Sequence, residues 1–240
     1  MKKIFLFIYI VLFSQAAHAI EFVELPVKGS DIVVIKMMFR NGSVCDPKGK
    51  EGLTLLTVQT IMDGGTDKMT SSQVKDFTYP FASQYFGSVD KEVTYITFLV
   101  HRDLLSKFYE VVKGLMLTPR FDSEDFERVK SNQLNYVDQV IKTSSDEEFS
   151  KMALEDFLFQ GTNYQSMTSG TVSGIKNITL DDVESQYKKY FTATNLTIGL
   201  AGGYDASLKT MLTADMNKLP QTKVEVPAPG KAIKANGLEV

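Results

Sequence analysis

His18, His101 and Cys45 are the only imidazoles and the only thiol in this sequence. A hydrolytic zinc site typically takes two His ligands and a carboxylate, and keeps one position open for water. His18 falls in a segment with the marks of a signal peptide, which leaves one imidazole, and one imidazole cannot build that site. His101 follows an apolar β-rich run and precedes Arg102 and Asp103, so it is expected at the surface, where a helix starts. Cys45 has no partner for a disulfide. It is expected as a buried, inert thiol, with a dimer-linking or reactive thiol as the alternative. Asp63, Asp67, Asp90 and Glu92 offer carboxylates, but oxygen ligands alone suit calcium or magnesium better than zinc. Acids at helix ends and turns more often act as caps or solvated charges. Asp146-Glu147-Glu148 sit where a helix begins, and there they favour the helix dipole. The sequence has no Gly-x-Ser-x-Gly elbow, phosphate-binding loop or Cys-His pair.

The leading segment has the order of a secretory signal. Lys2 and Lys3 precede an apolar stretch over 4–13, too short to span a bilayer. Ala17-His18-Ala19 is a small-x-small cleavage signal, so cleavage is expected after Ala19. These features predict an exported protein, most simply periplasmic, with no membrane association after cleavage. Without Lys2 and Lys3 the 26 basic side chains fall to 24, against 29 acidic ones. That balance gives no basic surplus for nucleic acid. Hydrophobic residues make up 43% of the chain, and with Trp absent, 16 Phe and 10 Tyr supply the aromatic packing. Roughly 220 mature residues suit one large domain.

The elements that must position any site follow from periodicity. Residues 31–39 are β-rich and read as a strand; 40–51, with Gly42, Asp46, Pro47 and Gly49, read as a loop. Residues 52–63 form a helix that is apolar nearly all round, which implies burial, and Gly64-Gly65 ends it. Thr70 with Gln73 is a capping box for a short helix to about Tyr79, and Pro80 is expected to block it further. Residues 82–89 and 92–101 read as two strands around an Asp90-Lys91 turn. A helix over 103–117 stops at Pro119. Asp122 with Asp125 opens a long helix to about Lys142, and Ser145 another to about Phe159. Thr179 with Asp182 caps a helix to about Phe191. A strand over 195–201, the Gly202-Gly203 turn and a helix over 205–219 follow. Hairpins mixed with helix runs argue α+β. Pro220, Pro227, Pro229 and Gly230 mark a linker, and 220–240 is expected to be that linker with the opening of a second unit.

Several stretches, in this order, resemble the N-terminal domain of insulinase/pitrilysin-type (inverzincin) metallopeptidases. They are Arg40-Asn41-Gly42-Ser43, Gly49-Lys50-Glu51-Gly52-Leu53 and Gly64-Gly65-Thr66. Further along come Leu117-Thr118-Pro119-Arg120-Phe121 and Phe126-Glu127-Arg128-Val129, then Gly170-Thr171-Val172-Ser173-Gly174-Ile175 and Ile178-Thr179-Leu180-Asp181-Asp182-Val183. The closing strand is Asn195-Leu196-Thr197-Ile198 with Ala201-Gly202-Gly203. The resemblance covers residues 23–219 and implies an α+β insulinase-like domain over 20–219, with a mixed or antiparallel sheet packed with several helices.

That family works through H-x-x-E-H on the first buried helix: two His and a downstream Glu hold zinc, and the Glu inside the motif activates water. Counted from Gly52, the three positions fall on Leu55, Val58 and Gln59. Counted back from Thr66, they fall on Leu56, Gln59 and Thr60. Neither set holds a His or a Glu, and the helix after Arg128, where the resemblance puts the distal ligand, has no acid over 130–137. No zinc or other cofactor is expected. The family binds substrate as an added strand along a sheet edge; the resemblance puts the matching edge at about Tyr85 to Val89, with Phe86, Gly87 and Ser88 nearest the vacant site, and an ordinary hairpin strand is the alternative. The resemblance implies a noncatalytic subunit that binds or clamps an extended peptide or unfolded protein segment beside an active zinc-peptidase partner. The alternatives are a zinc endopeptidase chain that needs a partner or a further C-terminal half, and a standalone peptide-binding or scaffold module.

Overall fold

The computed structural model describes residues 20–231 apart from Ser145. The expected targeting segment with its expected cleavage site, and the expected second unit over 232–240, lie outside these residues. Five strands make one sheet: β1 (Glu21–Pro26), β2 (Ile32–Phe39), β3 (Gln84–Val89), β4 (Thr94–His101) and β5 (Leu196–Gly202). Their order is β1-β5-β2-β4-β3; β1 and β5 are parallel and every other pair is antiparallel. The sheet is therefore mixed, one of the two arrangements expected for this α+β domain. Alternation along the strands divides its two faces. Val33, Ile35, Met37 and Phe39 of β2 are buried under helices, and Val34, Lys36 and Met38 turn to the other face.

Helix α1 (Leu53–Asp63) is packed on nearly every side, as its apolar composition predicts. The predicted capping box of α2 (Ser71–Thr78) is present, with Thr70 and Gln73 bonding each other's backbone. The α-helix ends at Thr78, one residue before the expected end and ahead of Pro80 as read. Pro80 sits in a 3-10 turn, Tyr79–Phe81, at a first-turn position where its missing N–H is not needed. Helix α3 is Leu105–Leu117. Helix α4 (Ser123–Asn135), capped by Asp122, runs through a π-helical turn, Tyr136–Val140, into α5 (Ile141–Ser144), so the predicted long helix changes winding near its end. Then come α6 (Asp146–Leu158), α7 (Val172–Lys176), α8 (Leu180–Tyr190) and α9 (Ala206–Met216). Two elements were not expected: β1, and the single turn of α7.

The main core lies between the sheet and α1, α3 and α9. Ile96, Phe98, Val100, Ile198 and Leu200 meet Phe108, Val112, Leu115, Leu208 and Leu212 there. Each such side chain contributes about 1.5–3 kcal/mol by leaving water. A smaller cluster joins Leu53 and Leu56 of α1 to Phe126 and Val129 of α4 and to Ile178 and Val183. Helix α1 is thus clamped from two sides, which fixes what its remaining face can do. Among the described residues, no helix is long and apolar enough to cross a membrane.

Candidate functional site

The loop before α1 sets the helix in place through one carboxylate. Asp46 accepts bonds from the Gly52 amide at 2.7 Å, the Thr54 amide at 2.8 Å and the Thr54 hydroxyl at 2.6 Å. Enclosure raises its pKa to about 6 despite these donors. Gly52 has a φ of 102°, a left-handed backbone that favours glycine, and an added Cβ would meet the Gln133 amide nitrogen at 2.8 Å. Gln133 donates to the Gly52 carbonyl at 3.0 Å, while Arg128 donates to the Asp63 carbonyl at 3.0 Å. Helix α4 therefore runs antiparallel along α1, pinned at both ends.

One stripe of α1 stays partly open: Leu55, Gln59 and Asp63, spaced four apart. The other positions are enclosed, including Leu56 and Val58 at 0% exposure and Thr60 at 1%. This separates the two countings of the degenerate motif. Leu55 and Gln59 have the i, i+4 spacing of paired ligands and both face the open side. Leu56 and Thr60 both point into packing, where no substrate reaches. On the open stripe the donor set is a hydrocarbon and an amide, with Val58 between them. An amide does not take up a proton at neutral pH, and zinc prefers imidazole, thiolate and carboxylate. These residues do not fit the metal.

The open stripe borders strand β3. A Cβ built on Gly87 would lie 2.0 Å from Val58 Cγ1 and 3.5 Å from Met62 Cγ, so only glycine lets α1 come this close. Strand β3 is an edge of the sheet. The Asp90 amide donates to the Val93 carbonyl at 2.8 Å and closes the hairpin. Hydrogen-bonded and non-bonded pairs alternate in an antiparallel ladder. With Ser88 opposite Tyr95 and Phe86 opposite Thr97, the backbones of Gln84, Phe86 and Ser88 bond β4. Those of Tyr85, Gly87 and Val89 point outward. Of the expected trio, Gly87 faces α1, while Phe86 and Ser88 lie on the opposite face of the sheet. The expected edge, about Tyr85 to Val89, thus divides: Tyr85 and Val89 share the face of Gly87, not that of Phe86 and Ser88.

The remaining candidates have local roles. His101 sits at the end of β4 and accepts a bond from the Asp103 amide at 3.3 Å, a helix-start role as expected. Cys45 is buried, and burial pushes its thiol pKa up, which disfavours the reactive thiolate. Asp63 lies 3.7 Å from Lys75, Thr118 donates to Asp67 at 2.7 Å, Asp90 accepts from the Lys91 amide, and Tyr164 donates to Glu92. Among the described residues, no three His, Cys, Asp or Glu side chains converge. Lys91, not singled out by sequence, ties the hairpin tip down: it donates to the Tyr164 and Ser166 carbonyls and pairs with Glu155 at 2.9 Å.

A mixed sheet, a clamped first helix beside an edge strand and an antiparallel α4 make up a domain whose fold is that of known peptidase homologues. No protein-family model matches the chain. A peptidase M16 inactive domain from Pseudomonas fluorescens superposes with a TM-score of 0.79 at 17% identity, over 90% of this chain and 53% of that one. A protease from Helicobacter pylori gives 0.77 at 15% identity, over 90% and 53%. The chain thus has the fold of the M16 peptidases, and the resemblance to the insulinase/pitrilysin type holds. Among curated proteins it is similar to the non-peptidase homolog YmxG of Helicobacter pylori, 28% identical over 191 residues, which is 79% of this chain and 43% of that protein. The chain spans about half the length of the proteins it matches.

Proposed function

We propose that this chain is a noncatalytic peptidase homologue that binds extended peptide along β3. Its peptidase-homologue character is supported by the M16 fold and by the similarity to a non-peptidase protein. The observation that carries the binding reading is the juxtaposition at β3. An unpaired edge, with outward backbone at Tyr85, Gly87 and Val89, lies against a helix stripe whose ligand positions are Leu55 and Gln59. A strand added at such an edge gains main-chain hydrogen bonds without needing chemistry from the helix. A further part of the proposal is export to the periplasm, which rests on the Lys2-Lys3 start, the apolar stretch after it and the Ala17-His18-Ala19 signal. The last part is a partner of the same fold that keeps its zinc ligands and cleaves what this chain holds. Zinc chemistry by this chain itself is disfavoured by the donor set at Leu55, Val58 and Gln59.

The test is a titration of the chain with unstructured peptides, followed by backbone NMR. Binding at the edge shifts the Tyr85, Gly87 and Val89 amides and slows their hydrogen exchange. Peptides N-methylated at alternate residues bind more weakly, because they cannot complete the ladder. Shift changes confined to residues outside the 84–101 hairpin would sink the proposal.

A further inference from the structure

Helix α6 wears its apolar side outward. Its inner side is held by Met152, which packs with Val137, Ile141 and Ile175, and by Glu155, which reaches Lys91. At 100° per residue, Phe149, Ala153 and Phe157 form one row away from that side, and Leu154 and Leu158 the next. Phe149 is 44% exposed, Leu154 56%, Phe157 45% and Leu158 55%. A surface helix ordinarily shows the reverse, with its apolar stripe inward and charges outward. A contiguous exposed apolar strip of this kind marks a place where something docks.

Charge identifies the occupant. Asp146 heads the row of Leu154 and Leu158, Glu147 and Asp156 lie in the rows on either side of the strip, and the one basic residue on the helix, Lys151, lies 2.8 Å from Glu147. A second copy would bring two acidic rims together, and an anionic lipid surface would be repelled by the same rim. A helix with an apolar face between Lys or Arg rows meets both the strip and its border. We propose that the outward face of α6 is a docking surface for a basic amphipathic helix of a partner protein. The surface is separate from the β3 edge, so either assignment can fail without the other.

The probe is a synthetic amphipathic helix of Leu and Lys, titrated into the chain. The controls are the same helix with Glu for Lys and a scrambled Leu/Lys peptide. Vesicles of phosphatidylglycerol and a measurement of oligomeric state complete the set. The Leu/Lys helix is expected to shift resonances over 149–159 and to bind at least about tenfold more tightly than either control. The Leu154→Gln, Phe157→Gln double variant is expected to weaken that binding about tenfold with its Tm nearly unchanged, since both side chains are exposed. Equal affinity for the Leu/Glu helix, resonance changes elsewhere, vesicle binding lost in the variant, or self-association lost in the variant would each overturn the proposal.

Discussion

At Gly87 and Val58 the absence of one side chain and the presence of another close a packed seam between β3 and α1. Val58 stands where the resemblance puts a catalytic Glu, and it is fully buried against the edge strand. Its β-branched side chain has little rotamer freedom in a helix, so it cannot step aside for a new neighbour. Gly87→Ala is therefore expected to destabilise the fold by about 1–3 kcal/mol, the usual range for overpacking. In a Val58→Ala background Cγ1 is gone and the nearest remaining Val58 atom is Cβ at 3.5 Å, an ordinary contact. There the same substitution should cost much less. Urea unfolding of the two single variants and the double variant gives the coupling energy; strictly additive costs would show that Val58 is not the obstacle. The sequence already showed that Val58 could not act as a base. It did not show that the position is sealed against Gly87, because that contact joins residues far apart in the chain.

Elements that carry their own local signals were legible in the sequence. Both capping boxes, Thr70 with Gln73 and Thr179 with Asp182, are formed as read. The long apolar periodicity of α3 and the closing turn of the hairpin also fell where expected. Strand β1 was not legible, because it pairs in parallel with β5, and Glu21 meets Thr197 only through tertiary structure. Its sequence also shows no clean alternation, since Val23 and Leu25 lie on the exposed face while Glu24 shares the face of Phe22. Helix α7 escaped because one turn is too short for a period. The cap of α8 carries more than its own helix: Asp182 also pairs with Lys50 at 2.5 Å and so fastens the loop before α1. Thr179→Ala removes the hydroxyl that accepts from the Asp182 amide and donates to its carboxylate. It is expected to cost about 1 kcal/mol, the usual loss for an N-cap. Thermal unfolding measures the loss, and a change below about 0.3 kcal/mol would mean that Asp182 holds α8 without its cap.

For the whole molecule, Asp46 is where the 40–51 loop, α1 and α8 are joined. Its carboxylate takes the Gly52 and Thr54 amides, and the Thr54 hydroxyl it accepts from also receives the Gln186 amide at 2.9 Å. Enclosure raises the folded pKa to about 6 from an ordinary 3.8. A raised carboxyl pKa means that the folded chain binds this proton more tightly than the unfolded chain does. Below about pH 4 both states keep it and the group is neutral in the balance. Between about pH 4 and 6 the unfolded chain ionises first, so stability falls as pH rises. Above about 6 both states are ionised, and a penalty of up to about 3 kcal/mol is complete. Asp46→Asn keeps an acceptor for the α1 amides but cannot titrate. The stability of the wild-type chain relative to this variant is therefore expected to drop by about 2–3 kcal/mol from pH 4 to 6.5, measured by urea unfolding at each pH. A relative stability that rises over that interval would mean the three donors outweigh burial. The loop would then hold α1 through an ionised carboxylate whose pKa lies below its ordinary value.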